Sequence, residues 1–298
     1  MRVGVIGLGS MGMGMAVSLV KAGHDVAGSD VRPAAVDAFV AAGGRAAADP
    51  GAAAEGARLV ILMVVNQAQV EAVLFGPGGA VARLPQGAVV MLSATVPAAF
   101  TEALAARLAE TGHLLLDAPV SGGAAKARDG QLTIMSSGPA AAYAVAEPVL
   151  AAVAATVYRL GDRPGIGSTV KTVNQLLAGV HIAAAAEAMA LGTRAGADPR
   201  QLYEVISNSA GGSWMFQNRV PHMLDGDFTP LSSVEIFVKD LGLVLDTGRS
   251  LRFPLPIAAA AHQQFLAAAA AGHGGEDDAA VVKVYEGLAG IQVARAKE

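Results

Sequence analysis

The chain has 298 residues, enough for two domains that each bury a hydrophobic core. Hydrophobic residues make up 53% and charged residues 15%, a mixture typical of a compact protein with much buried helix and unlike that of a disordered chain. The formal charge is −4 and cysteine is absent, which argues against a nucleic-acid or membrane surface and excludes disulfides and thiol chemistry.

The start of the chain and its apolar stretches bear on localisation. A buried-strand pattern begins at Val3 and leaves no room for a signal peptide. The stretches richest in alanine, at 183–191, 257–261 and 266–271, are too short or too interrupted to span a bilayer. We therefore expect a soluble, cytoplasmic protein.

Short β-rich runs alternate with helical stretches through the first half of the chain. The predicted strands are Val3–Ile6, Asp25–Ser29, Leu59–Val64, Val89–Leu92, Leu114–Leu116, Leu132–Met135 and Val157–Leu160. The predicted helices are Gly14–Lys21, Pro33–Ala42, Gln67–Leu74, Ala98–Glu110 and Ala140–Ala152. This alternation predicts an α/β domain over residues 1–164, with a mostly parallel sheet covered on both faces.

A turn-rich segment, residues 161–167, ends this alternation, and no strand pattern follows it. Residues 168–195 contain no proline and predict one helix about 42 Å long. Further helices are predicted at 199–208, 213–224, 232–251, 254–271 and 277–296. The second domain, residues 165–298, is therefore predicted to be all-α, with the long helix starting at the domain junction.

The segment Gly7-Leu8-Gly9-Ser10-Met11-Gly12 follows the first predicted strand and opens a helix. Gly7 would permit the tight turn, Gly9 would let a pyrophosphate approach the backbone, and Gly12 would allow close contact between helix and strand. The helix N-terminus would offer N–H groups and partial positive charge to the phosphates. In this context the pattern favours a Rossmann-type dinucleotide-binding loop over an ordinary glycine-rich turn.

Asp30 ends the second predicted strand. A carboxylate at this position accepts hydrogen bonds from the adenosine ribose hydroxyls and repels a 2′-phosphate, so the sequence predicts NAD rather than NADP. Arg32, two residues further on, would weaken that preference. The alternative for Asp30 is a strand-end carboxylate that faces water.

A second motif, Asp117-Ala118-Pro119-Val120-Ser121-Gly122-Gly123, follows the fifth predicted strand. It lies where open parallel sheets bind ligands, at the carboxyl ends of the strands. The Ser121 hydroxyl and the unshielded amides of two glycines would form a compact nest for a carboxylate. Taken alone, the segment fits a simple loop turn equally well.

Lys171 lies near the start of the long predicted helix, and Asn174 and Gln175 share its helical face. A single lysine on a helix is usually a solvated charge, but this helix carries almost no other charge. The helix dipole and a bound NAD⁺ ring would both lower the pKa of the amine, which would then serve as a base near neutral pH. Asn174 would hold either the amine or a substrate hydroxyl in place.

Together these motifs resemble the β-hydroxyacid dehydrogenase family, which includes 3-hydroxyisobutyrate dehydrogenase and tartronate semialdehyde reductase. The resemblance runs from the glycine loop through residues 117–123 and 165–174 to Lys239-Asp240-Leu241, nearly the whole chain. It implies NAD-dependent oxidation of a small hydroxy acid, with Lys171 as general acid/base. The implied substrate-binding residues are Ser121, Gly122, Gly123, Asn174 and Lys239. The implied cofactor contacts, beyond the glycine loop and Asp30, are Val64, Val65, Asn66, Thr95 and Lys239.

Two positions depart from the pattern of many family members, which have glycine at the position of Lys126 and asparagine at that of Gln175. Both polar groups suit a longer or more hydroxylated acid, with Lys126 added to the substrate-binding residues. Together with residues 213–216 and the segment around His181, they make the chain resemble most the L-threonate dehydrogenase branch, which oxidises the C2 hydroxyl of a four-carbon sugar acid. The alternatives are 3-hydroxyisobutyrate or the tartronate semialdehyde pair as substrates, and, in another class, a non-catalytic nucleotide sensor.

Several remaining residues have two interpretations. His181 either packs between helices or lies on the active face, and Trp214 and Phe216 either roof the substrate pocket or anchor a helix. No group of His, Asp and Glu has the spacing of metal ligands, so no metal is predicted. The long apolar helix exposes more hydrophobic surface than one subunit can cover, which predicts a homodimer or homotetramer built through the helical domain.

Overall fold

The structure is a computed structural model that describes residues 1–294. Its contacts divide the chain into two compact units, the first ending at Lys171 and the second beginning at Thr172. The division falls inside a helix that starts at Ile166, whereas the boundary predicted after residue 164 lies just before this helix.

A six-stranded parallel sheet organises the first unit. Its strands are β1 (Arg2–Ile6), β2 (Asp25–Ser29), β3 (Arg45–Ala46), β4 (Leu59–Leu62), β5 (Val89–Leu92) and β6 (Leu114–Asp117). Their order is β3-β2-β1-β4-β5-β6, with Val3 of β1 paired to Val26 of β2 and to Leu59 of β4. The strand order reverses between β1 and β4, and open α/β sheets bind dinucleotides at such a point.

Helices cover both faces of this sheet, as the apolar strand sequences predict. They are α1 (Ser10–Lys21), α2 (Pro33–Ala41), α3 (Pro50–Ala54), α4 (Gln67–Phe75) and α5 (Ala98–Glu110). Successive residues of one strand enter opposite cores. Leu59 and Ile61 belong to one hydrophobic cluster, whereas Val60 and Leu62 belong to the other. The predicted Rossmann-type architecture is thereby confirmed.

A small three-stranded sheet completes the first unit. It consists of β7 (Val120–Ser121), β8 (Leu132–Ser136) and β9 (Ala154–Arg159), together with α6 (Gly123–Arg128) and α7 (Ala140–Val153). β7 runs antiparallel to β8, with Ser121 opposite Thr133, and β9 runs parallel to β8. The sequence predicts strands near 132–135 and 157–160, but not that they form a sheet of their own.

The second unit is helical, as predicted. α8 (Ile166–Arg194) starts in the first unit and continues into the second. It is followed by α9 (Pro199–Ser207), α10 (Trp214–Asp225), α11 (Val234–Ser250), α12 (Pro256–Ala268), a π-helical turn (Ala269–His273), a 3₁₀ helix (Asp278–Val281) and α13 (Val282–Ala289). The helix predicted over 277–296 is shorter, because Gly290 takes a left-handed conformation with φ 62° and ends α13. Residues 295 and 296 of that prediction lie outside the described residues.

The long helix α8 is both apolar and central to the second unit. By length and composition it is the one helix within residues 1–294 that is able to cross a membrane, with a mean hydropathy of 1.5 over an 18-residue stretch. However, Ile182, Ala186 and Met189 are buried in the core of the second unit. Phe237 of α11 and Phe265 of α12 stack in the same core, with ring centroids 5.2 Å apart. One face of α8 therefore belongs to the core of the second unit.

Candidate active site

The predicted cofactor residues follow four adjacent strands of the parallel sheet. Asp30 follows β2, the glycine loop follows β1, residues 64–66 follow β4 and Thr95 follows β5. Because the carboxyl ends of parallel strands lie at one edge of a sheet, these residues come together where the strand order reverses.

Glycine is required at two positions of the loop after β1. Gly7 has φ 94°, and a Cβ atom there would lie 2.4 Å from the Met63 carbonyl oxygen. A Cβ atom at Gly12 would lie 1.9 Å from the Gly7 carbonyl oxygen. At Gly9 the nearest atom to such a Cβ is the Arg32 Nη2 at 4.0 Å, so the backbone there is open to a ligand.

The start of α1 fits a pyrophosphate. Its N-cap is Gly9, no side chain caps it, and its first turn carries no acidic residue. The amides of Ser10, Met11 and Gly12 have no intrahelical acceptor, because the first helical bond runs from the Met13 amide to the Gly9 carbonyl. Together with the open backbone at Gly9, these amides would hold the phosphates of a dinucleotide.

Asp30 is almost completely buried, so the alternative of a water-facing carboxylate is wrong. Its side chain is 7% exposed and accepts hydrogen bonds from the Leu8 amide (2.7 Å) and the Arg32 amide (2.9 Å). The Arg32 guanidinium lies 3.1 Å away and also donates to the Leu8 carbonyl at 3.2 Å. Although burial opposes ionisation, the hydrogen bonds from Arg32 and Leu8 lower the pKa of Asp30 below its ordinary value. Asp30 is therefore an anion at neutral pH.

The loop after β4 is fixed by its own side chains. Asn66 caps α4 by accepting a hydrogen bond from the Gln69 amide at 2.9 Å. Gln69 in turn accepts one from the Val65 amide at 2.8 Å. This reciprocal pair shapes residues 64–66, so Asn66 has a capping role that the sequence analysis did not assign. Thr95, after β5, is half-buried.

The Ser121–Gly123 segment has a backbone conformation that favours glycine. Gly122 has φ 135° and Gly123 has φ 77°, directly after Ser121 ends β7. A Cβ atom at Gly122 would lie 2.9 Å from Lys126 Cδ, so the stem of Lys126 crosses over this glycine. The structure thus brings Lys126 to the predicted carboxylate nest.

Lys171 is buried, which excludes the ordinary interpretation of a solvated lysine. It lies in the second turn of α8 and only 8% of its surface is exposed. The start of this helix is held by Asp117, which is fully buried at the end of β6. Burial raises the pKa of Asp117, while hydrogen bonds from Ser168, Gly165 and Ser137 oppose that shift.

In the second unit, Asn174 and Lys239 belong to one hydrogen-bonded network. Asn174 donates its amide N–H to Gln175 Oε1 at 3.0 Å, and Gln175 donates to Asp240 Oδ2 at 2.5 Å. The Lys239 amine lies 2.6 Å from Asp240 Oδ1. Both ends of the buried Gln175 side chain bind protein groups, a structural role that the sequence analysis did not assign to it.

The other residues with two interpretations also lie in the second unit. Phe216 is buried and stacks on Tyr203 with ring centroids 5.9 Å apart, so it anchors a helix. Trp214 is exposed at the start of α10, and His181 is half-buried in α8.

Comparison with known protein families agrees with this geometry. Residues 2–161 match the NAD binding domain of 6-phosphogluconate dehydrogenase. Residues 165–285 match the family described as NAD-binding of NADP-dependent 3-hydroxyisobutyrate dehydrogenase. The chain belongs to the β-hydroxyacid dehydrogenase family. Members of this family are oxidoreductases that act on hydroxy acids with a nicotinamide cofactor, so a non-catalytic nucleotide sensor is set aside.

Relatives within the β-hydroxyacid dehydrogenase family match over nearly the full length. L-threonate dehydrogenase from Cupriavidus necator is 61% identical over 96% of this chain and 97% of its own. 3-Hydroxyisobutyrate dehydrogenase from Pseudomonas aeruginosa is 36% identical over 87% of this chain and 89% of its own. A crystal structure of 3-hydroxyisobutyrate dehydrogenase from Salmonella typhimurium has a TM-score of 0.90 and 52% identity, covering 95% of this chain and 99% of that one.

Proposed function

We propose that this dehydrogenase oxidises the C2 hydroxyl of L-threonate to a ketone, with NAD⁺ as the acceptor. The main support for L-threonate as the substrate is the 61% full-length identity to the Cupriavidus enzyme named for L-threonate. The Pseudomonas enzyme named for 3-hydroxyisobutyrate is only 36% identical. The Salmonella structure, named for 3-hydroxyisobutyrate at 52% identity, makes that acid the second candidate.

Lys171 is the proposed general base. Its burial in the second turn of α8 supports this role, because a buried amine is less stabilised in its charged form than a solvated one. A bound NAD⁺ would supply the acceptor for the hydride of the substrate carbon that bears the hydroxyl. The amine of Lys171 accepts the hydroxyl proton as that carbon becomes a carbonyl, and later releases it to water.

The substrate carboxylate is assigned to Ser121, Gly122 and Gly123. The positive φ angles of the two glycines turn their amides out of the strand conformation, and neither glycine has a side chain of its own to shield its amide from an anion. Lys126, whose stem crosses Gly122, supplies an ammonium group for an additional substrate hydroxyl. This assignment would favour a polyhydroxylated acid over one that carries a methyl group.

We assign Asn174 to the substrate, and Lys239 to both the substrate and the cofactor. The bonds that these two residues make to Gln175 and Asp240 support this assignment. One of the two amide N–H groups of Asn174 is used on Gln175, and we assign the amide oxygen of Asn174 to accept a hydrogen bond from a substrate hydroxyl or an ammonium. Lys239 contributes positive charge whose position is fixed by Asp240.

NAD⁺ is the proposed cofactor in preference to NADP⁺. The anionic, almost fully buried Asp30 would repel a 2′-phosphate at the end of β2. Arg32 offsets part of this charge, since its guanidinium is 62% exposed beside Asp30. The preference therefore depends on the balance of these two side chains.

The assembly is proposed to be a homodimer or homotetramer of a soluble, cytoplasmic enzyme. Val173, Leu177 and Leu191 are exposed on α8, and their spacing places them on one narrow stripe together with Ala184. An apolar stripe opposite the buried face of a core helix fits a second copy of the same chain.

A screen of hydroxy acids tests the proposed substrate. The ratio kcat/KM for L-threonate with NAD⁺ should exceed that for 3-hydroxyisobutyrate by at least about tenfold, if Lys126 favours the additional hydroxyl. Lys126→Ala should lower the value for L-threonate alone, whereas Arg128→Ala, on the same short helix, should change neither. A preference for the methyl-bearing acid would overturn L-threonate as the substrate and leave the family assignment intact.

A further inference from the structure

We propose that Asp117 is a positioning residue for the reaction, because its buried carboxylate fixes the first turn of α8 and with it Lys171. This inference rests on the proposed role of Lys171 as the general base. Asp117 is placed outside the proposed substrate and cofactor contacts and acts through the helix alone.

Four hydrogen bonds converge on the Asp117 carboxylate. The amides of Gly165 and Ser168 each donate to Oδ2 at 2.9 Å, and the Ser137 hydroxyl donates to the same oxygen at 3.1 Å. The Ser168 hydroxyl donates to Oδ1 at 2.8 Å. Asp117 thereby caps α8 from a strand that is distant in sequence, using both carboxylate oxygens.

Further contacts also hold the first turn of α8 in place. The Gly167 amide donates to the Ser137 hydroxyl at 3.0 Å, and Ser168 lies 3.0 Å from the Thr101 hydroxyl of α5. A Cβ atom at Gly167 would lie 2.5 Å from the Met135 carbonyl oxygen and 3.0 Å from Asp117 Oδ2. Glycine at 167 therefore lets the helix approach the carboxylate closely.

The segment 117–121 connects the proposed base, Lys171, with the proposed carboxylate-binding residue Ser121. Asp117 and the proposed carboxylate nest at Ser121 belong to one stretch of five residues, 117–121. Ser168 and Lys171 lie three residues apart on α8, so they share one helical face. A bond from Asp117 to Ser168 thus sets the base relative to the segment that binds the substrate carboxylate.

A buried carboxylate costs more free energy as a helix cap than an exposed one, which suggests that its fixed position has a use. Asp49 caps α3 through the Ala52 amide at 2.6 Å while its side chain stays 36% exposed. Asp117 performs the same task with no exposed surface, which adds a desolvation cost that the four donors must offset. The additional rigidity is useful because a displacement of about 1 Å at a catalytic group can reduce a rate by about 10²-fold.

Steady-state kinetics of matched variants test this inference, using the preferred hydroxy acid at saturation. Asp117→Ala should lower kcat by about 10²-fold, while the Kd for NAD⁺ stays within about twofold of the wild-type value. Asp117→Asn should recover most of that loss, because an amide oxygen still accepts from the Gly165 and Ser168 amides. Asp49→Ala, which removes a cap in the same unit, should lower the melting temperature and leave kcat unchanged.

Lys171→Ala, measured in parallel, separates the two proposals. If Lys171→Ala loses activity while Asp117→Ala keeps kcat within about twofold and only melts earlier, the positioning role is overturned and the function stands. If Lys171→Ala keeps its activity, the proposed role of Lys171 as general base fails, and the inference that rests on this role fails with it. Should Asp117→Ala not fold, Ser168→Ala replaces it: a kcat about fivefold lower at unchanged NAD⁺ affinity supports the inference, and an unchanged kcat contradicts it.

Discussion

Asp30 and Arg32 are the two residues that we expect to set the preference between NAD⁺ and NADP⁺. The carboxylate is fixed by the Leu8 amide, so it belongs to the glycine loop as much as to the end of β2. Arg32 donates both to Asp30 and to the Leu8 carbonyl, which holds its guanidinium beside the same loop. A 2′-phosphate would meet an anion whose charge is partly neutralised.

The wild-type enzyme is expected to use NAD⁺ at least about tenfold better than NADP⁺ in kcat/KM, a difference of ~1.4 kcal/mol. Asp30→Asn should reduce this ratio, mainly by raising the rate with NADP⁺, since the amide keeps an acceptor for the Leu8 amide but carries no charge. Arg32→Ala should increase the ratio. Equal wild-type rates with the two cofactors would contradict the role given to Asp30.

Residue spacing alone predicted some side chains of the site better than others. The helical period correctly placed Lys171 and Asn174 one turn apart, because both lie on α8. It gave no indication of the partner of Gln175, Asp240, which lies 65 residues away in sequence. A hydrogen bond over that separation depends on how α8 and α11 pack, which no local pattern contains.

At the scale of elements, sequence patterns predicted strands and helices but not every pairing. The apolar runs that form β2, β5 and α5 were predicted with the bounds that the structure shows. The two-residue strands β3 and β7 were missed, because two residues carry no periodicity. Since β7 pairs with β8, missing it also concealed the small sheet that shapes the Ser121–Gly123 segment.

A buried ion pair connects α10 to the 3₁₀ helix of the second unit. Arg219 Nε lies 2.5 Å from Asp278 Oδ1, and Arg219 Nη2 donates to Oδ2 at 3.2 Å. Burial raises the pKa of Asp278 from 3.8 to about 6, although Arg219 opposes the shift. The folded state therefore binds a proton at Asp278 more tightly than the unfolded state does. The contribution of this protonation to the free energy of unfolding falls as the pH rises from about 4 to about 6.

Arg219→Met should therefore destabilise the enzyme more at pH 7.5 than at pH 5, because only at the higher pH would an unpaired carboxylate be buried. The expected loss at pH 7.5 is about 3–5 kcal/mol in the free energy of unfolding, measured by urea denaturation. Arg200→Met removes an ion pair with Asp225 that is largely exposed, and it should cost little at either pH. A pH-independent loss in Arg219→Met would show that Asp278 does not titrate in this range.

At the scale of the whole molecule, the composition of α8 has one consequence. The helix is apolar on both sides, so one face builds the core of the second unit and the other remains exposed at Val173, Leu177 and Leu191. The sequence predicted this surplus from hydrophobicity and length, but not which residues form the exposed stripe. That selection depends on the packing of α10, α11 and α12 around the buried face.

Light scattering at micromolar concentration should show a dimer or a tetramer for the wild-type enzyme. Leu177→Glu, on the exposed stripe, should shift the population to smaller species because a charge would be buried at the contact. Val205→Glu alters an exposed residue of α9, outside the stripe, and should leave the assembly intact. A monomeric wild type would contradict the proposed assembly.

The most direct test of the account is kcat for Lys171→Ala, measured as a function of pH. The wild-type rate should rise with pH as the Lys171 ammonium loses its proton, and the variant should lose this dependence together with at least about 10²-fold of the rate. NAD⁺ affinity should change little, because the cofactor is assigned mainly to the Gly7–Gly12 loop. Lys171→Arg should not restore activity, since a guanidinium stays protonated. An alanine variant that keeps more than about a tenth of the wild-type kcat would show that another group accepts the proton.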